Sequence, residues 1–249
     1  MKIALAGQDA SDLLPLIYEI GLEVDCDRPE VVISYGGDGT FLGAEHQWPS
    51  IPKLAIRHNR TCIKCSDHGD AAVLRRLAEG KVSRTVLMKL AGNAKDQRLV
   101  GLNDITLNKV SPVTGVRYRV WINEQSYSGE IVGDGLVVST PFGSTAYYRS
   151  ITRSFFRVGI GVAFNNSTEQ VDHLILHETD RLRIVIRRGP AVLCADNSPQ
   201  SVRLEEGDEA WIAKADETAV LLAADTLFCN RCLHADGTPF NRLGGLASL

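Results

Sequence analysis

The sequence predicts two domains, an N-terminal α/β unit followed by an antiparallel β-rich domain. Three observations support this. Over the first ~80 residues, apolar β-branched runs alternate with helical stretches, the pattern of a parallel sheet with crossover helices. Near residue 82 the pattern changes to many short strands broken by glycine, asparagine and proline. The chain has 249 residues, 44% hydrophobic and 23% charged, enough for one large domain or two ordinary ones.

Residues 2–6, KIALA, read as the first strand. Ser11 and Asp12 are placed to cap a short helix around LLPLIYEIG, with Pro15 in or near its first turn. VVISY at 31–35 is a continuous β-branched run of the kind buried on both faces of a parallel sheet. After it come the glycines of SYGGDGTF, then a helix over FLGAEHQ that ends near Trp48 and Pro49, then a strand at KLAI, 53–56. GDAAVLRRLAE, 69–79, has amphipathic helical spacing, with Ala72, Leu74 and Leu77 inward and Arg75, Arg76 and Glu79 outward.

The second part contains VSRTVLMKLAG, RLVGLNDITLN, GVRYRVWIN, QSYSGEIVG, RLRIVIRR, AVLCAD, SVRLEE, EAWIAKA and TAVLLAAD, with one helix starting near Thr145. In RLRIVIRR, Leu182, Ile184 and Ile186 share one face, and Arg181, Arg183 and Arg187 share the other, which reads as a solvated face. The last ~20 residues turn glycine-rich and irregular.

A formal net charge of −3 argues against a nucleic-acid binder. No apolar stretch approaches the roughly 20 residues that span a bilayer, and MKIALAGQDA suits a strand better than a leader, so a cytoplasmic location is expected.

SYGGDGTF lacks the lysine of the Walker pattern and is not G-x-G-x-x-G either. Its glycines still let the backbone bend and bring N–H groups close to an anion, between a buried strand and a helix start. Asp38 or Thr40 capping the next helix is the plain alternative. A carboxylate in a phosphate loop repels the ligand unless it orders a cation or accepts a proton.

Two further stretches extend the pattern: LNDITL at 102–107 and DGLVVSTPFGSTAY at 134–147. With GGDGT, in this order and at about these separations, they resemble the NAD kinase family. GGDGT alone is shared with lipid kinases; the long third motif is specific. The resemblance implies a nucleotide-binding α/β domain (residues 1–82), a β-sandwich-like substrate-binding domain (83–226) and a C-terminal tail (227–249) that returns to the first domain. It implies transfer of the γ-phosphate of ATP, or of polyphosphate, with Mg²⁺ or another divalent cation, to the adenosine ribose 2′-hydroxyl of NAD, giving NADP. Asp38 would be the general base, and Gly36, Gly37, Gly39 and Thr40 would cradle phosphates. Asn103 and Asp104 would hold the dinucleotide, the asparagine at the adenine. Asp134 would contact the nicotinamide end, and Ser139, Thr140, Phe142, Thr145, Ala146 and Tyr147 would line the pocket. A homodimer or homotetramer is the family's usual state.

The chain departs from the family pattern at several places. Asp104 stands where glutamate is usual, and Phe142 where a small or hydroxylated residue is expected. The D-G-Q turn is Asp196–Asn197–Ser198, the glycine pair after A-Y is absent, and HNRTCIKCSDH keeps only Asn59 of the usual segment after the third strand. Two alternatives to NAD kinase activity therefore stand: a kinase of the same fold acting on another hydroxyl, of a nucleoside, sugar or lipid, and a non-catalytic nucleotide-binding, zinc-stapled regulatory protein.

Six cysteines include two CxxC pairs, Cys62/Cys65 and Cys229/Cys232. Each pair suits half of a tetrahedral zinc site, although roughly 160 residues separate them; a redox pair or unliganded thiols are the alternatives. A tail returning as the resemblance implies would bring them together around a structural Zn²⁺. His58, His68 and His234 lie nearby in sequence. Cys26 and Cys194 have no partner pattern and are expected as ordinary buried thiols.

Overall fold

A computed structural model describes residues 1–57, 68–169, 171 and 173–227. The chain divides into two compact units. The first comprises Met1–Leu87 with the described residues from Thr218 onward, and the second Met88–Glu217. The expected tail, 227–249, lies almost wholly outside the described residues.

The first unit opens with β1 (Lys2–Ala6) and a 3-10 turn, Ala10–Leu13, that runs into α1 (Leu14–Ile20). Pro15 sits in the first turn of α1, where its missing N–H costs nothing, and Gly21 ends the helix in the left-handed region at φ 81°. Ser11 and Asp12 do not cap α1: they lie inside the 3-10 turn, and neither helix has a side-chain cap. Then come β2 (Glu23–Val24), β3 (Val31–Tyr35), α2 (Asp38–Gln47), β4 (Lys53–Ile56) and α3 (Asp70–Ala78). The strands pair in parallel in the order β4-β3-β1-β2.

Both faces of this sheet are covered, which is why β3 reads as an unbroken β-branched run. On one side Ile3, Ile33 and Leu54 pack with Leu13, Ile17, Leu74 and Leu77; on the other Ala4 and Val32 meet Ala44. In α3 it is Val73, not Ala72, that joins Leu74 and Leu77 in full burial. Helix α2 is fastened to the sheet by an ion pair as well as by packing. Lys53 of β4 is wholly buried, pairs with the buried Glu45 carboxylate of α2 and donates to the Trp48 carbonyl at 2.6 Å. Removing one member of such a pair strands a buried charge, at a cost of about 3–5 kcal/mol.

The second unit is a sandwich built mostly of antiparallel strands. Its elements are β5 (Arg84–Ala94), β6 (Gln97–Gly101), β7 (Asp104–Lys109), β8 (Val116–Ile122), β9 (Gln125–Ser126), β10 (Ile131–Gly133), β11 (Gly135–Ser139), α4 (Tyr147–Thr152), β12 (Ile160–Asn165), β13 (Leu174–Leu176), β14 (Leu182–Arg188), β15 (Ala191–Ala195), β16 (Ser201–Leu204) and the long β17 (Glu209–Leu222). One sheet runs β13-β12-β11-β7-β15-β16. The other runs β10-β8-β14-β17, with β9 on β8, and β5 pairing with both β6 and β17. Ile105 and Leu107, Leu136 and Val138, and Leu182, Ile184 and Ile186 contribute to one core from the two sheets. The alternation in β14 is thus as the sequence predicts. The end of β17 belongs to the first unit, where Leu221 and Leu222 pair in parallel with Lys53 and Leu54. It is followed by α5 (Ala224–Leu227), whose Asp225 accepts from Arg76 at 2.9 Å. The α/β plus β-sandwich class expected from the sequence is the class observed.

Further expectations need correction. Strands β12 and β13 add to those the sequence marks. Gly161 lies within β12, where glycine is required because Phe156 and Tyr148 lie directly against it. The cation face of β14 is only partly solvated. Arg183 lies 4.4 Å over the Trp121 ring and 5.5 Å from Trp211, its register partners on the two flanking strands. Lastly, Cys26 is exposed, in the loop after β2, and Cys194 is half-buried. Cys62, Cys65, Cys229 and Cys232, with His58 and His234, lie outside the described residues.

Candidate functional site

In the first unit the glycine loop links the carboxyl end of β3 to α2. Gly36 donates its N–H to the Ile56 carbonyl at 2.9 Å, which fixes the loop against the end of β4. A Cβ on Gly36 would run into the Thr40 hydroxyl, so the loop closes tightly only with glycine there. Gly37 is the N-cap, and its carbonyl accepts from the N–H groups of Thr40 and Phe41 at 3.1 and 3.2 Å. Asp38, Gly39 and Thr40 therefore form the first turn of α2 rather than a loop ahead of it.

That placement bears on the question of whether Asp38 caps. No side chain caps α2, and Asp38 points outward with 64% of its side chain exposed. At a helix N-terminus the dipole favours a carboxylate or an incoming anion. The partner of Asp38 is Arg57, at the end of β4, with Nη2 at 3.6 Å from Oδ1. This cation had not been singled out in the sequence, where it follows KLAI without any motif around it. Among the described residues, no three or more His, Cys, Asp or Glu side chains come together to hold a metal ion.

In the second unit the Asn103–Asp104 pair forms a corner between β6 and β7. Its backbone is almost fully engaged. Asp196 accepts from the N–H of Leu102 at 2.7 Å through Oδ2, and through Oδ1 from Asn103 at 2.7 Å and Asp104 at 3.1 Å. Its own N–H donates to the Asp104 carbonyl at 3.0 Å. From the opposite strand, Thr140 donates its N–H to the Asn103 carbonyl at 2.9 Å and its hydroxyl to the Leu102 carbonyl at 2.7 Å. The Ser139 hydroxyl donates to the Asn103 carbonyl at 3.2 Å. Ser139 and Thr140 are wholly buried, so their hydroxyls serve this corner and are not open to solvent.

The glycine of T-P-F-G-S is needed for the same corner. Gly143 lies flush on Asn103, where a Cβ would overlap the Asn103 carbonyl, and it donates its N–H to Thr140 Oγ1 at 3.0 Å. Thr145 is buried in the 3-10 turn Gly143–Thr145, Ala146 is exposed, and Phe142 and Tyr147 are half-buried. Tyr147 opens α4, and its hydroxyl accepts from Asn165 Nδ2 at 3.0 Å.

What the corner leaves unmatched is side chain. Asn103 is 9% exposed, and its Oδ1 has no partner. The Asp104 carboxyl is pushed up to about 7, first by burial and then by the Asp196 charge. Tyr147 is raised by burial and then by the charges of Asp104 and Asp134. Asp134 itself is held low by Asn166 Nδ2 at 2.8 Å and by Lys109 at 2.6 Å. The structure thus gathers Asn103, Asp104, Ser139, Thr140, Thr145 and Tyr147 around one corner, and the charge of Asp134 reaches Tyr147. The role of Asp196 was invisible in the sequence beyond its place in a D-N-S turn.

A family model described as the ATP-NAD kinase C-terminal domain matches residues 102–224, the stretch that carries this corner, its opposing strand and Asp196. The matched stretch is similar to the C-terminal domain of ATP-NAD kinases. The chain is 27% identical to the NAD kinase of Lactobacillus johnsonii over 169 residues, which are 61% of this chain and 62% of that protein. It is 34% identical to NAD kinase 1 of Listeria innocua over 166 residues, 60% and 62% of the two chains. The chain thus spans about three fifths of the length of these curated relatives. Two solved structures share the fold at 19% identity. One is an NAD kinase from Archaeoglobus fulgidus in complex with ATP, with a TM-score of 0.73 over 89% of this chain and 93% of that one. The other is yeast NADH kinase complexed with NADH, with a TM-score of 0.74 over 96% and 79%. No helix among the described residues is long and apolar enough to cross a membrane.

Proposed function

We propose that this chain is an NAD kinase that transfers the γ-phosphoryl group of ATP, or a phosphoryl group of polyphosphate, to the adenosine ribose 2′-hydroxyl of NAD, giving NADP. The observation that carries the reading is Asn103. A buried acceptor without a donor costs about 1–3 kcal/mol, and the corner around it is too well built for an accident. An N–H of a bound base, such as the adenine amino group, would satisfy it. Asp104, beside it, meets the ligand with a carboxyl that titrates near neutrality. The motif relationships of Asp134, Phe142, Thr145, Ala146 and Tyr147 support the same dinucleotide.

Asp38 takes the proton of the 2′-hydroxyl as that oxygen bonds to phosphorus and the bond to the leaving phosphate breaks. Its contribution comes mainly from placement at the loop. Gly36, Gly37, Gly39 and Thr40 make the tight turn that sets the start of α2, whose dipole favours the phosphate chain. Mg²⁺ is usually held by one or two carboxylates together with substrate phosphates, so it needs no protein cage, and Asp38 can supply a carboxylate. Bound there, the ion would offset charge on the phosphates. The zinc reading of Cys62, Cys65, Cys229 and Cys232 rests on their spacing, and a homodimer or homotetramer rests on the family's habit.

An acceptor panel tests the reading. Purified protein with labelled ATP or polyphosphate and Mg²⁺ is offered NAD, NADH, nucleosides, sugars and diacylglycerol. Label in NADP or NADPH is expected. Label in another acceptor, or binding without turnover, would overturn it.

A further inference from the structure

Asp196 is a side chain whose partners lie more than ninety residues away in sequence. Its carboxylate accepts from three consecutive backbone N–H groups, Leu102 to Asp104, and its own N–H closes the ring onto the Asp104 carbonyl. The turn that carries it is shaped for this: Asp196 itself sits in the left-handed region at φ 47°, and Ser198 donates its N–H to the Ala195 carbonyl at 3.0 Å. Hydrogen bonds to an ionised carboxylate are among the stronger ones in proteins. Here they converge on the two residues with which the second unit meets its ligand.

We propose that Asp196 is the positioning residue of this unit, fixing the Asn103–Asp104 backbone so that the corner recognises a dinucleotide with its two side chains alone. The proposal rests on the dinucleotide reading above. The Leu102 and Asn103 carbonyls are taken by Thr140 and Ser139, and the N–H groups of 102–104 by Asp196. A ligand therefore finds no free N–H group in residues 102–104. The same carboxylate faces Asp104 across the corner. Burial first, and then this like charge, favour the neutral acid, so Asp104 donates a hydrogen bond below about pH 7 and accepts above it. The other charged or titratable groups nearby are Tyr147 from α4 and Asp134 from the turn before β11, the latter neutralised by Lys109.

Two variants separate positioning from mere support. Asp196→Asn keeps an oxygen to accept the N–H groups but loses the charge; Asp196→Ala loses both. Steady-state kinetics over pH 5–9 with NAD and ATP are expected to show the KM for NAD raised about ten- to hundredfold in the alanine variant, the scale of losing hydrogen bonds to a charged group. The KM for ATP should stay within about twofold of its original value. In the asparagine variant the midpoint of the pH dependence of KM for NAD should fall below about 7. Carboxyl ¹³C NMR of Asp104 should show the same fall without any turnover. An unchanged KM for NAD in the alanine variant, or an Asp104 midpoint that does not move in the asparagine variant, would overturn the proposal. If the original protein makes no NADP, the function reading fails, while the NMR titration still decides whether Asp196 governs Asp104. If the alanine variant does not fold, the asparagine variant decides alone.

Discussion

The two acidic centres of this chain are built in opposite ways. Asp38 stands in the open, at the first turn of α2, caps nothing and, among the described residues, is met by Arg57 at 3.6 Å. Asp104 is 6% exposed, its backbone clamped from two sides and its carboxyl raised to about 7 by burial and a like charge. A group that must exchange a proton with a bound hydroxyl benefits from reach, and water solvates it until the ligand arrives. A group that recognises a ligand benefits from being fixed beforehand, because its ordering cost is then met in folding rather than in binding. The contrast accords with the proposed roles, chemistry at the first centre and recognition at the second.

The largest expected effect breaks the comparison at the open centre. Asp38→Asn should lower turnover by about 10²- to 10⁴-fold, the usual contribution of a placed base. The melting temperature and the KM for NAD should hardly change, since Asp38 caps no helix and its pair with Arg57 is exposed. A large loss of stability would instead show that Asp38 is structural.

The next effect lies at the closed centre and shows in stability rather than rate. Burial keeps the proton on Asp104 up to about pH 7 in the folded protein, whereas the unfolded chain releases it near 3.8. Between those values the unfolded state binds fewer protons, so stability falls as pH rises, by up to roughly 4 kcal/mol, and levels off above pH 7. Asp104→Asn has no such proton to lose. Urea unfolding at pH 5 and pH 8 should show the variant gaining on the original protein at the higher pH. Equal pH dependence in both would mean that Asp104 ionises freely.

These two centres were not equally legible in the sequence. The β3 run and the glycines after it announced a buried strand, a tight turn and a helix start, because those signals are local. The sequence also gave the sandwich its alternation, visible in Leu182, Ile184 and Ile186. It could not show that Asp38 leaves α2 uncapped, since Asp at that point suits a cap as well as a first-turn residue. Nor could it show Asp196 beneath the Asn103 corner, because the contact spans β7 to the end of β15 and depends on strand order. Arg183 between Trp121 and Trp211 was hidden for the same reason: period-two alternation places its side chain on a face but says nothing of the register that brings two rings to it.

The smallest effect sharpens the open centre. The Arg57–Asp38 pair is exposed and longer than a hydrogen bond, so it adds less than about 1 kcal/mol to stability. Its consequence is for binding. Without Arg57 the carboxylate meets incoming phosphates unopposed, whereas a guanidinium can also turn from Asp38 to a phosphate oxygen and bind it in two-pronged fashion. Arg57→Ala should therefore raise the KM for ATP about three- to tenfold, with melting temperature unchanged, and Arg57→Lys should recover part of the loss. Because both groups are exposed, the difference should shrink as salt rises from about 0.05 to 0.5 M. A KM for ATP equal in all three proteins would show that Arg57 only decorates the strand end. A KM that falls in the alanine variant would show that the guanidinium holds Asp38 away from its ligand.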